Sequence, residues 1–496
     1  MEESIWYDYK NYNASYTKLN RNITTEVCII GGGITGISIA YELMKKNIPF
    51  ILLEKDTIAD KVTSKSSAKV TSQHGLIYHE IAKKYGLRHA KLYLEANEKA
   101  IKNIEKIVEE ENINCDFREE AHYIYTQDKN RTSAIQDEYI TLKKLDQKHI
   151  ELVKKLPIPL ECVLALKVDK QACFNPRNYT LGLAKILSKK RKCLYEHVTI
   201  NQIKKEKNHY LIFTDKAQVT AKRVILATHY PIKDIPGFYF FKMYQDTSYV
   251  IAVDIEKQDY TGMYIRVEDP IFSLRAIKKK ERTILLAGGN GHKTGDVNIE
   301  NRYQFLESYV KKMYPNSKVL KRWNTQDCIS LDNIPYIGEF STYFPNFYVA
   351  TGFNKWGMTT SNIAAHIIVD KILKRKNPYE EVFKATRYHA FKNIPKVYHM
   401  LNQTTRSLLF YKLKIKKDLI DTLPNNTGKI MKVEGKKVGV YKDEKGKVYT
   451  IFPYCSHLKC LLTFNALDKT WDCPCHGSRF DIYGNVLNSP ASKALK

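Results

Sequence analysis

This sequence lacks long apolar runs, and its first residues lack a short apolar segment. No stretch reaches the roughly 18 consecutive apolar residues that a transmembrane helix needs. Residues 1–13 are polar and aromatic and lack the apolar region of a secretory signal. We therefore expect a cytoplasmic protein with no transmembrane segment.

The sequence also lacks a basic arm, although its net charge is +27. The lysines occur in short clusters along the whole chain, mixed with Asn, Ile and Tyr, which is typical of a solvated basic surface. We therefore expect no nucleic-acid binding. A basic surface can still attract an anionic substrate, an acidic redox protein or an anionic membrane face, which leaves peripheral membrane contact open.

Cysteine is scarce for a chain of this length. Ten cysteines among 496 residues are too few for a disulfide scaffold. Six of them occur singly and are predicted to be buried free thiols: Cys28, Cys115, Cys162, Cys173, Cys193 and Cys328. The other four cluster between positions 455 and 475, and this clustering needs its own explanation.

Two short segments of this cluster each combine one cysteine with one histidine. Cys455 and His457 are separated by one residue, and Cys473 and His476 by two. A Rieske [2Fe–2S] centre needs two thiolates on one iron and two imidazoles on the other. We predict that these four residues ligate such a cluster, although the same set would also suit tetrahedral zinc.

The segment 473–478, Cys-Pro-Cys-His-Gly-Ser, disfavours zinc because it resembles the Rieske proteins of cytochrome bc complexes. In those proteins two spare cysteines form a disulfide that braces the cluster loops, so the resemblance implies a Cys460–Cys475 bond here. Ser478, which hydrogen-bonds a cluster sulfur in that family, is retained, but a second donor, a tyrosine, is replaced by Phe480. We therefore predict a reduction potential below that of the bc-complex clusters.

The other end of the chain carries a glycine-rich turn. The apolar segment 26–30 leads into Gly-Gly-Gly-Ile-Thr-Gly at 31–36, and a second apolar segment ends at Glu54. Strand, glycine turn, helix, strand and acidic residue form the dinucleotide-binding fingerprint, in which the pyrophosphate approaches the helix N-terminus and the acid binds the ribose. The predicted cofactor-binding residues here are Gly31, Gly33, Ile34, Thr35, Gly36, Glu54 and Lys55.

Two later segments favour FAD over NAD. Residues 219–228 are predicted to be a strand returning beside the cofactor, and 346–373 a strand, a glycine turn and a helix. Together with the fingerprint they resemble the D-amino-acid-oxidase-like flavoproteins, which include glycine, sarcosine and glycerol-3-phosphate oxidising enzymes. The resemblance covers residues 20–375. It implies that the dipole of the last helix stabilises the reduced flavin.

The same resemblance assigns further residues to flavin contact, although Gly352 and Gly357 alone could form an ordinary tight turn and residues 64–71 a polar loop. These residues are Lys69, Val70, Thr71, Val198, Ala227, Thr228, Gly338, Gly352, Trp356, Gly357, Met358 and Thr359.

The predicted fold is α/β: a Rossmann-type FAD-binding domain with an inserted antiparallel-sheet substrate domain, followed by a small all-β Rieske domain. The oxidoreductase domain spans residues 1–375, with FAD-binding parts at about 20–80, 150–245 and 325–375 and a substrate sheet at about 246–324. Residues 376–425 form a connector and 426–496 the Rieske domain.

The connector is lysine-rich with a few apolar residues: Leu408, Leu409, Phe410, Leu413 and Ile415. We interpret it as a partly helical segment lying on the flavin domain. A solvated linker and a helix on a membrane surface are the alternatives.

A flavin and a Rieske cluster in one chain suggest a converter between two-electron and one-electron chemistry. We expect an FAD-dependent enzyme that oxidises a small amine or amino acid and passes electrons through the cluster to an external acceptor protein instead of O₂. A relay between protein partners without an organic substrate is the alternative. A Rieske oxygenase ranks last, because no pair of nearby histidines with an acid suggests a mononuclear iron site.

Substrate contacts are the least constrained by the sequence. Arg275 could hold a carboxylate bidentately, and His292, Gln326 and Asp327 are further pocket candidates. A surface arginine on an edge strand is as good an interpretation of Arg275. For the other candidates a structural role is the favoured interpretation.

Overall fold

A computed structural model describes residues 3–9, 12, 15–190, 193–296, 301–387, 420–433 and 436–495. The apolar residues of the predicted connector, Leu408 to Ile415, lie outside the described residues. No helix in the described part of the chain is long and apolar enough to cross a membrane.

The helices in these ranges are α1 (Ile34–Lys45), α2 (Ile77–Tyr85), α3 (Leu87–Glu110), α4 (Thr132–Lys144), α5 (Pro176–Lys190), α6 (Arg302–Met313), α7 (Gly357–Ile372) and α8 (Glu380–Phe383). The strands are β1 (Ile23–Ile30), β2 (Phe50–Leu53), β3 (Lys69–Val70), β4 (Arg118–Thr126), β5 (Ile150–Val153), β6 (Leu164–Cys173), β7 (Leu194–Tyr195), β8 (Ile200–Lys205), β9 (Tyr210–Thr214), β10 (Gln218–Leu226), β11 (Met243–Asp254), β12 (Met263–Arg266), β13 (Phe272–Lys278), β14 (Thr283–Lys293), β15 (Lys318–Ser330), β16 (Tyr336–Glu339), β17 (Phe347–Thr351), β18 (Thr427–Val433), β19 (Lys436–Lys442), β20 (Val448–Ile451), β21 (Thr463–Asn465), β22 (Thr470–Asp472), β23 (Arg479–Phe480) and β24 (Val486–Asn488).

The first sheet has the strand order β16-β17-β10-β1-β2-β7, with β8 and β9 beside β10. Strand β1 runs parallel to both β10 and β2, and Ile30 pairs with Leu226 and Leu53. The apolar segment 26–30 is therefore a central strand. Its carboxyl end meets those of its two neighbours at one edge, where a doubly wound sheet binds its ligand.

The second sheet has the order β15-β11-β14-β13-β12-β4-β6-β3, with β5 beside β6. It extends beyond the segment that the sequence suggested, because the chain between positions 69 and 173 contributes four strands and β15 continues to Ser330. Antiparallel pairing of β11 with β14 and β15 gives this sheet two faces with alternating side chains.

The C-terminal domain consists of two small antiparallel sheets, β18–β20 and β21–β24. Trp471 and Phe480 are fully buried in its core, beside the cysteines of the cluster segments. The predicted fold class is confirmed. The six single cysteines are free thiols, and all are buried except Cys162, which is partly exposed.

Candidate active site and cluster site

The glycine turn after β1 is closely packed against the end of β10. Gly31 has φ +110°, and a Cβ there would lie 2.4 Å from the Ala227 carbonyl oxygen. A Cβ on Gly36 would lie 1.9 Å from the carbonyl oxygen of Gly31. Only glycine fits either position, and the turn exposes the N-terminus of α1 as the pyrophosphate of a dinucleotide requires.

Glu54, at the end of β2, faces this turn. One of its carboxylate oxygens accepts from the amide of Gly32 at 2.6 Å and the other from the amide of Asp56 at 2.8 Å. Burial raises the pKa of the Glu54 carboxyl, and the two amide bonds oppose that shift. This position, next to the glycine turn, is the one that binds ribose in the fingerprint.

A cavity of about 1160 Å³ begins at the turn and continues between the N-terminus of α7 and one face of the second sheet. Most residues predicted to contact flavin form its wall: Gly31, Gly33, Ile34, Thr35, Glu54, Lys55, Lys69, Val198, Ala227, Thr228, Gly352, Trp356, Gly357 and Met358. A space of this size and position can hold an extended dinucleotide together with a small substrate.

Five predicted contacts lie behind the wall instead: Gly36, Val70, Thr71, Gly338 and Thr359. Gly36 supports the turn from within the first turn of α1. The Thr71 hydroxyl is hydrogen-bonded to Gln171, and the Thr359 side chain is buried inside α7. The side chains of Thr71 and Thr359 therefore support the wall from behind, a placement that the family resemblance did not indicate.

The wall also contains a buried histidine that the sequence analysis missed. The ring of His74 is stacked on that of Trp356, with centroids 4.5 Å apart and planes 13° apart. Its Nε2 donates to the Thr71 carbonyl at 2.8 Å, so Nδ1 accepts from the Tyr93 hydroxyl, also at 2.8 Å. Burial lowers the pKa of His74 to about 3, so the ring is neutral and positions Trp356 at the start of α7.

Lys69 is the buried amine of the wall. Its Nζ donates to the Ser273 hydroxyl on β13. Burial, and secondarily the charge of Arg275, lowers the pKa of Lys69 to about 7. Close to neutral pH this amine can therefore hold or release a proton inside the cavity.

Beside the N-terminus of α7 the wall carries two aspartates and a lysine, of which only Asp327 was a candidate from the sequence. Lys355 Nζ lies 3.0 Å from Asp246 Oδ1 and 2.6 Å from Ser248 Oγ. Asp327 lies beside this group, and burial raises the pKa of its carboxyl to about 6. The signal available in the sequence was strand alternation, because Asp246 and Ser248 are two residues apart on β11.

Arg275, predicted to contact a substrate carboxylate, lies outside the cavity wall. It is buried, and its Nη1 donates to the backbone carbonyls of Ser67, Ala68 and Phe174 at 2.9, 2.9 and 3.0 Å. The guanidinium thus holds the loop before Lys69 in place. This placement disfavours both a substrate contact and a surface arginine.

His292 and Gln326, two other substrate-contact candidates, are also buried away from the wall. His292 Nε2 is 3.0 Å from the Tyr249 hydroxyl. Gln326 Nε2 donates to Thr294 Oγ1 at 2.9 Å and to the carbonyl of Gly477 at 2.7 Å. Gln326 therefore contacts the C-terminal domain.

The four predicted cluster ligands come together in the C-terminal domain. Cys455 and Cys473 are buried with their sulfurs in contact, and the rings of His457 and His476 have centroids 5.3 Å apart. His476 Nδ1 is buried and has no hydrogen-bond partner among the described residues. Two sulfurs and an unpartnered imidazole nitrogen in one place are the donors that a [2Fe–2S] cluster of this kind needs.

Hydrogen bonds favour a thiolate at this site. The hydrogen bond from Cys473, and further ones from the His457 amide and the Ser478 hydroxyl, lower the pKa of Cys455 to about 6. The structure also contains the Cys460–Cys475 disulfide that the resemblance implies, with its sulfurs within 4.8 Å of the Cys473 sulfur. The disulfide therefore braces both ligand segments.

The cluster segment docks on β11 at Gln245, whose side chain also lies at the cavity wall. Gln245 Nε2 donates to the carbonyl of His476 at 2.9 Å and to that of Ser489 at 2.8 Å. Gly477 has φ +77°, and a Cβ there would lie 2.5 Å from the Cβ of Gln245. In the same way Arg479 donates to Asn324 on β15 at 2.9 Å. The contact is close and specific.

Alternation along the two strands places most cavity-wall side chains on one face of the sheet and most contacts with the C-terminal domain on the other, and Gln245 takes part in both. On the cavity face lie Tyr244, Asp246, Ser248, Thr325 and Asp327. The intervening residues Gln245, Asn324 and Gln326 contact the C-terminal domain. Residues 486–492 of that domain also reach around to complete the cavity wall.

Comparison with known proteins agrees with both halves. The FAD dependent oxidoreductase family (DAO) matches residues 26–371, and the Rieske [2Fe-2S] domain family matches residues 415–496. A protein of Bacillus subtilis (strain 168), YhfW, described as a Rieske 2Fe-2S iron-sulfur protein, is 36% identical over 97% of this chain and 95% of its own.

Two further relatives match only the larger half. Gamma-glutamylputrescine oxidoreductase of Escherichia coli (strain K12) is 25% identical over 78% of this chain and 90% of its own. The crystal structure of glycine oxidase from Geobacillus kaustophilus has a TM-score of 0.63 at 17% identity, covering 75% of this chain and 100% of that chain. At this identity the structural likeness shows the fold alone.

Proposed function

Because this chain belongs to the family of FAD-dependent oxidoreductases and carries a C-terminal Rieske [2Fe–2S] domain, we propose that it oxidises a small amine or amino acid and passes the electrons through the cluster to an external acceptor protein. Bound FAD supplies two-electron redox chemistry, and the cluster supplies one-electron transfer. We also propose that the protein acts in the cytoplasm.

The observation that carries the proposal is the position of the two sites on one sheet. Asp246 and Asp327 face the cavity, and their chain neighbours Gln245 and Gln326 bond the backbone of the cluster segment at His476 and at Gly477. Cavity and cluster segment thus meet at Gln245, which lines the cavity and donates to the carbonyl of His476. This arrangement supports transfer within one molecule.

The chain's own residues would bind each group. The turn of Gly31 and Gly36 would hold the pyrophosphate of FAD, and Glu54, beside that turn, would bind its ribose. His74 fixes Trp356 at the start of α7, whose N-terminal dipole favours negative charge. In the other domain Cys455 and Cys473 would bind one iron, with the two histidines on the second.

The extent of the cavity favours a small-molecule substrate over the alternative, a relay between protein partners. A relay needs no internal space beyond the cofactor, whereas this cavity extends from the glycine turn past Trp356 to the charged group around Lys355. Small-molecule sites are typically concave clefts with a few placed polar groups.

The test is anaerobic stopped-flow mixing of the holoprotein with a panel of amines, amino acids and hydroxy acids. The proposal predicts that at least one amine or amino acid bleaches the flavin absorbance and that frozen samples then show the EPR signal of a reduced Rieske cluster. Bleaching by none of them, with reduction only by a protein reductase, would favour the relay.

A further inference from the structure

The proposed function leaves two substrate classes, amines and amino acids. The inference made here rests on that function and chooses between the two classes from the charges around Lys355. A substrate carboxylate is best held by a free guanidinium or ammonium group. Among the described residues of the cavity wall Arg266 is the only arginine. Its Nη2 donates to the Pro270 carbonyl and its Nη1 lies 3.3 Å from Gln127 Oε1. Both terminal nitrogens of Arg266 therefore already have hydrogen-bond partners within the protein.

Lys355, the lysine nearest to α7, also has partners within the protein. Lys355 forms an ion pair with Asp246 and a hydrogen bond with Ser248. This places a neutral pair, not a free cation, at the position where α7 begins.

Lys69, the buried amine of the wall, is hydrogen-bonded to Ser273 on another strand, so the remaining charged group beside Lys355 is Asp327. Strand pairing sets Asp327 directly opposite Asp246, with both side chains on the cavity face. The ion pair of Lys355 is made with Asp246, and within the described residues the Asp327 carboxyl is affected by burial and by the charges of Lys355 and Asp246 but by no hydrogen bond. Two carboxylates opposite each other with one lysine carry a net negative charge, which destabilises the free protein and favours a cationic ligand.

We infer that Asp327 binds the ammonium group of the substrate, and that the substrate is therefore an amine that needs no carboxylate next to the reacting carbon. Asp327 would be the residue that determines specificity. The pKa of Asp327, raised by burial to about 6, still leaves the carboxyl mostly ionised at neutral pH, so it can attract a cation.

The overall reaction balances as follows. A C–H bond beside the nitrogen and an N–H bond break, a C=N bond forms, and two electrons and two protons leave the substrate. Water then converts the imine to a carbonyl compound and ammonia. The two electrons pass to FAD and onward, one at a time, to two equivalents of the external one-electron acceptor.

The test uses matched pairs that differ only in the carboxylate: propylamine with 2-aminobutyrate, benzylamine with phenylglycine, and pyrrolidine with proline. Each is mixed anaerobically with the holoprotein and with the Asp327→Asn variant, and flavin bleaching is followed. Asp146→Asn is the control, because Asp146 is exposed at a distant turn. Asp327→Glu, which keeps the charge, should restore part of the activity.

A second measurement does not depend on turnover. Tert-butylamine has no hydrogen on the carbon next to nitrogen and cannot be oxidised, so its dissociation constant reports binding alone. Asp327→Asn should raise that constant by about 10- to 100-fold, as expected for a lost charge-assisted contact. Asp146→Asn should leave it unchanged.

Reduction by the amines and not by their carboxylated partners, with loss only in Asp327→Asn, would support the inference. Reduction by the amino acids alone, or equal effects of Asp327→Asn on both members of a pair, would overturn it and leave the proposed function standing. If no compound of either class reduces the flavin while dithionite reduces both cofactors, the inference and the proposed function both fail.

Discussion

Nε2 of His457 lies 2.7 Å from Oδ2 of Asp234, which joins a predicted cluster ligand to the loop that follows β10. A ring nitrogen that faces a carboxylate donates its hydrogen, which leaves Nδ1 of His457 free for iron. Asp234 belongs to the flavin domain, so one domain orients the metal ligand of the other. The contact therefore links the docked position of the C-terminal domain to the geometry of the cluster.

Replacing Asp234 should weaken this docking. In Asp234→Ala we expect electron transfer from flavin to cluster to slow by about tenfold or more, because a charge-assisted contact of about 1.5–3 kcal/mol is lost. Flavin reduction by substrate should be unchanged. Stopped-flow absorbance at separate flavin and cluster wavelengths measures both, with the exposed Asp215→Ala as control. Equal cluster-reduction rates in the two variants would show that this contact does not matter.

The glycine turn should be essential for FAD. Gly31→Ala places a Cβ 2.4 Å from a backbone oxygen, so we expect the purified variant to lack flavin absorbance. Gly86→Ala is the matched control, because Gly86 also has positive φ (+89°) but a Cβ there meets nothing within 4 Å. Full flavin content in Gly31→Ala would contradict the assignment of the turn.

The reduction potential of the cluster should respond to donors near its sulfurs. Ser478 is hydrogen-bonded to Cys455, and Phe480 is fully buried in the same core. We expect Phe480→Tyr to raise the potential and Ser478→Ala to lower it, because hydrogen bonds to sulfur favour the reduced cluster. Protein-film voltammetry decides this, and an unchanged or lower potential in Phe480→Tyr would refute the first expectation.

Asp327 should also make stability depend on pH in a particular direction. Its pKa in the folded protein is about 6, above the ordinary value of 3.8, so the folded state binds its proton more tightly than the unfolded state. The ionised group therefore destabilises the protein as pH rises from about 4 through 6. Asp327→Asn should raise the melting temperature of the holoprotein at neutral pH, and the gain should vanish below about pH 4. A lower melting temperature of Asp327→Asn at neutral pH would contradict the interpretation that the opposed carboxylates of Asp246 and Asp327 destabilise the protein.

The sequence predicted those features whose residues are close together along the chain. The fold class and both cofactors are confirmed, because the glycine turn and the segments around Cys455 and Cys473 are local patterns with narrow spacing. Each pattern by itself indicates which cofactor its residues bind. No tertiary contact had to be assumed.

Contacts between distant strands could not be predicted in this way. Gln326 was expected at the substrate and instead bonds Gly477, because its side chain is on the opposite face of β15 from Asp327. The alternation of side chains along β15 places these two residues on opposite faces of the strand. Only the docked C-terminal domain shows which of the faces lines the cavity. Arg275 was misjudged for the same reason, since its three carbonyl partners lie about a hundred or more residues away along the chain.

The most direct test of the account is the dependence of cluster reduction on protein concentration. The flavin of the holoprotein is reduced anaerobically by a light pulse, and the cluster signal is followed in dilute and in concentrated samples. Transfer across the sheet between Gln245 and His476 predicts a first-order rate that is the same at every concentration. A rate that rises in proportion to concentration, or a cluster that stays oxidised while the flavin remains reduced, would contradict it.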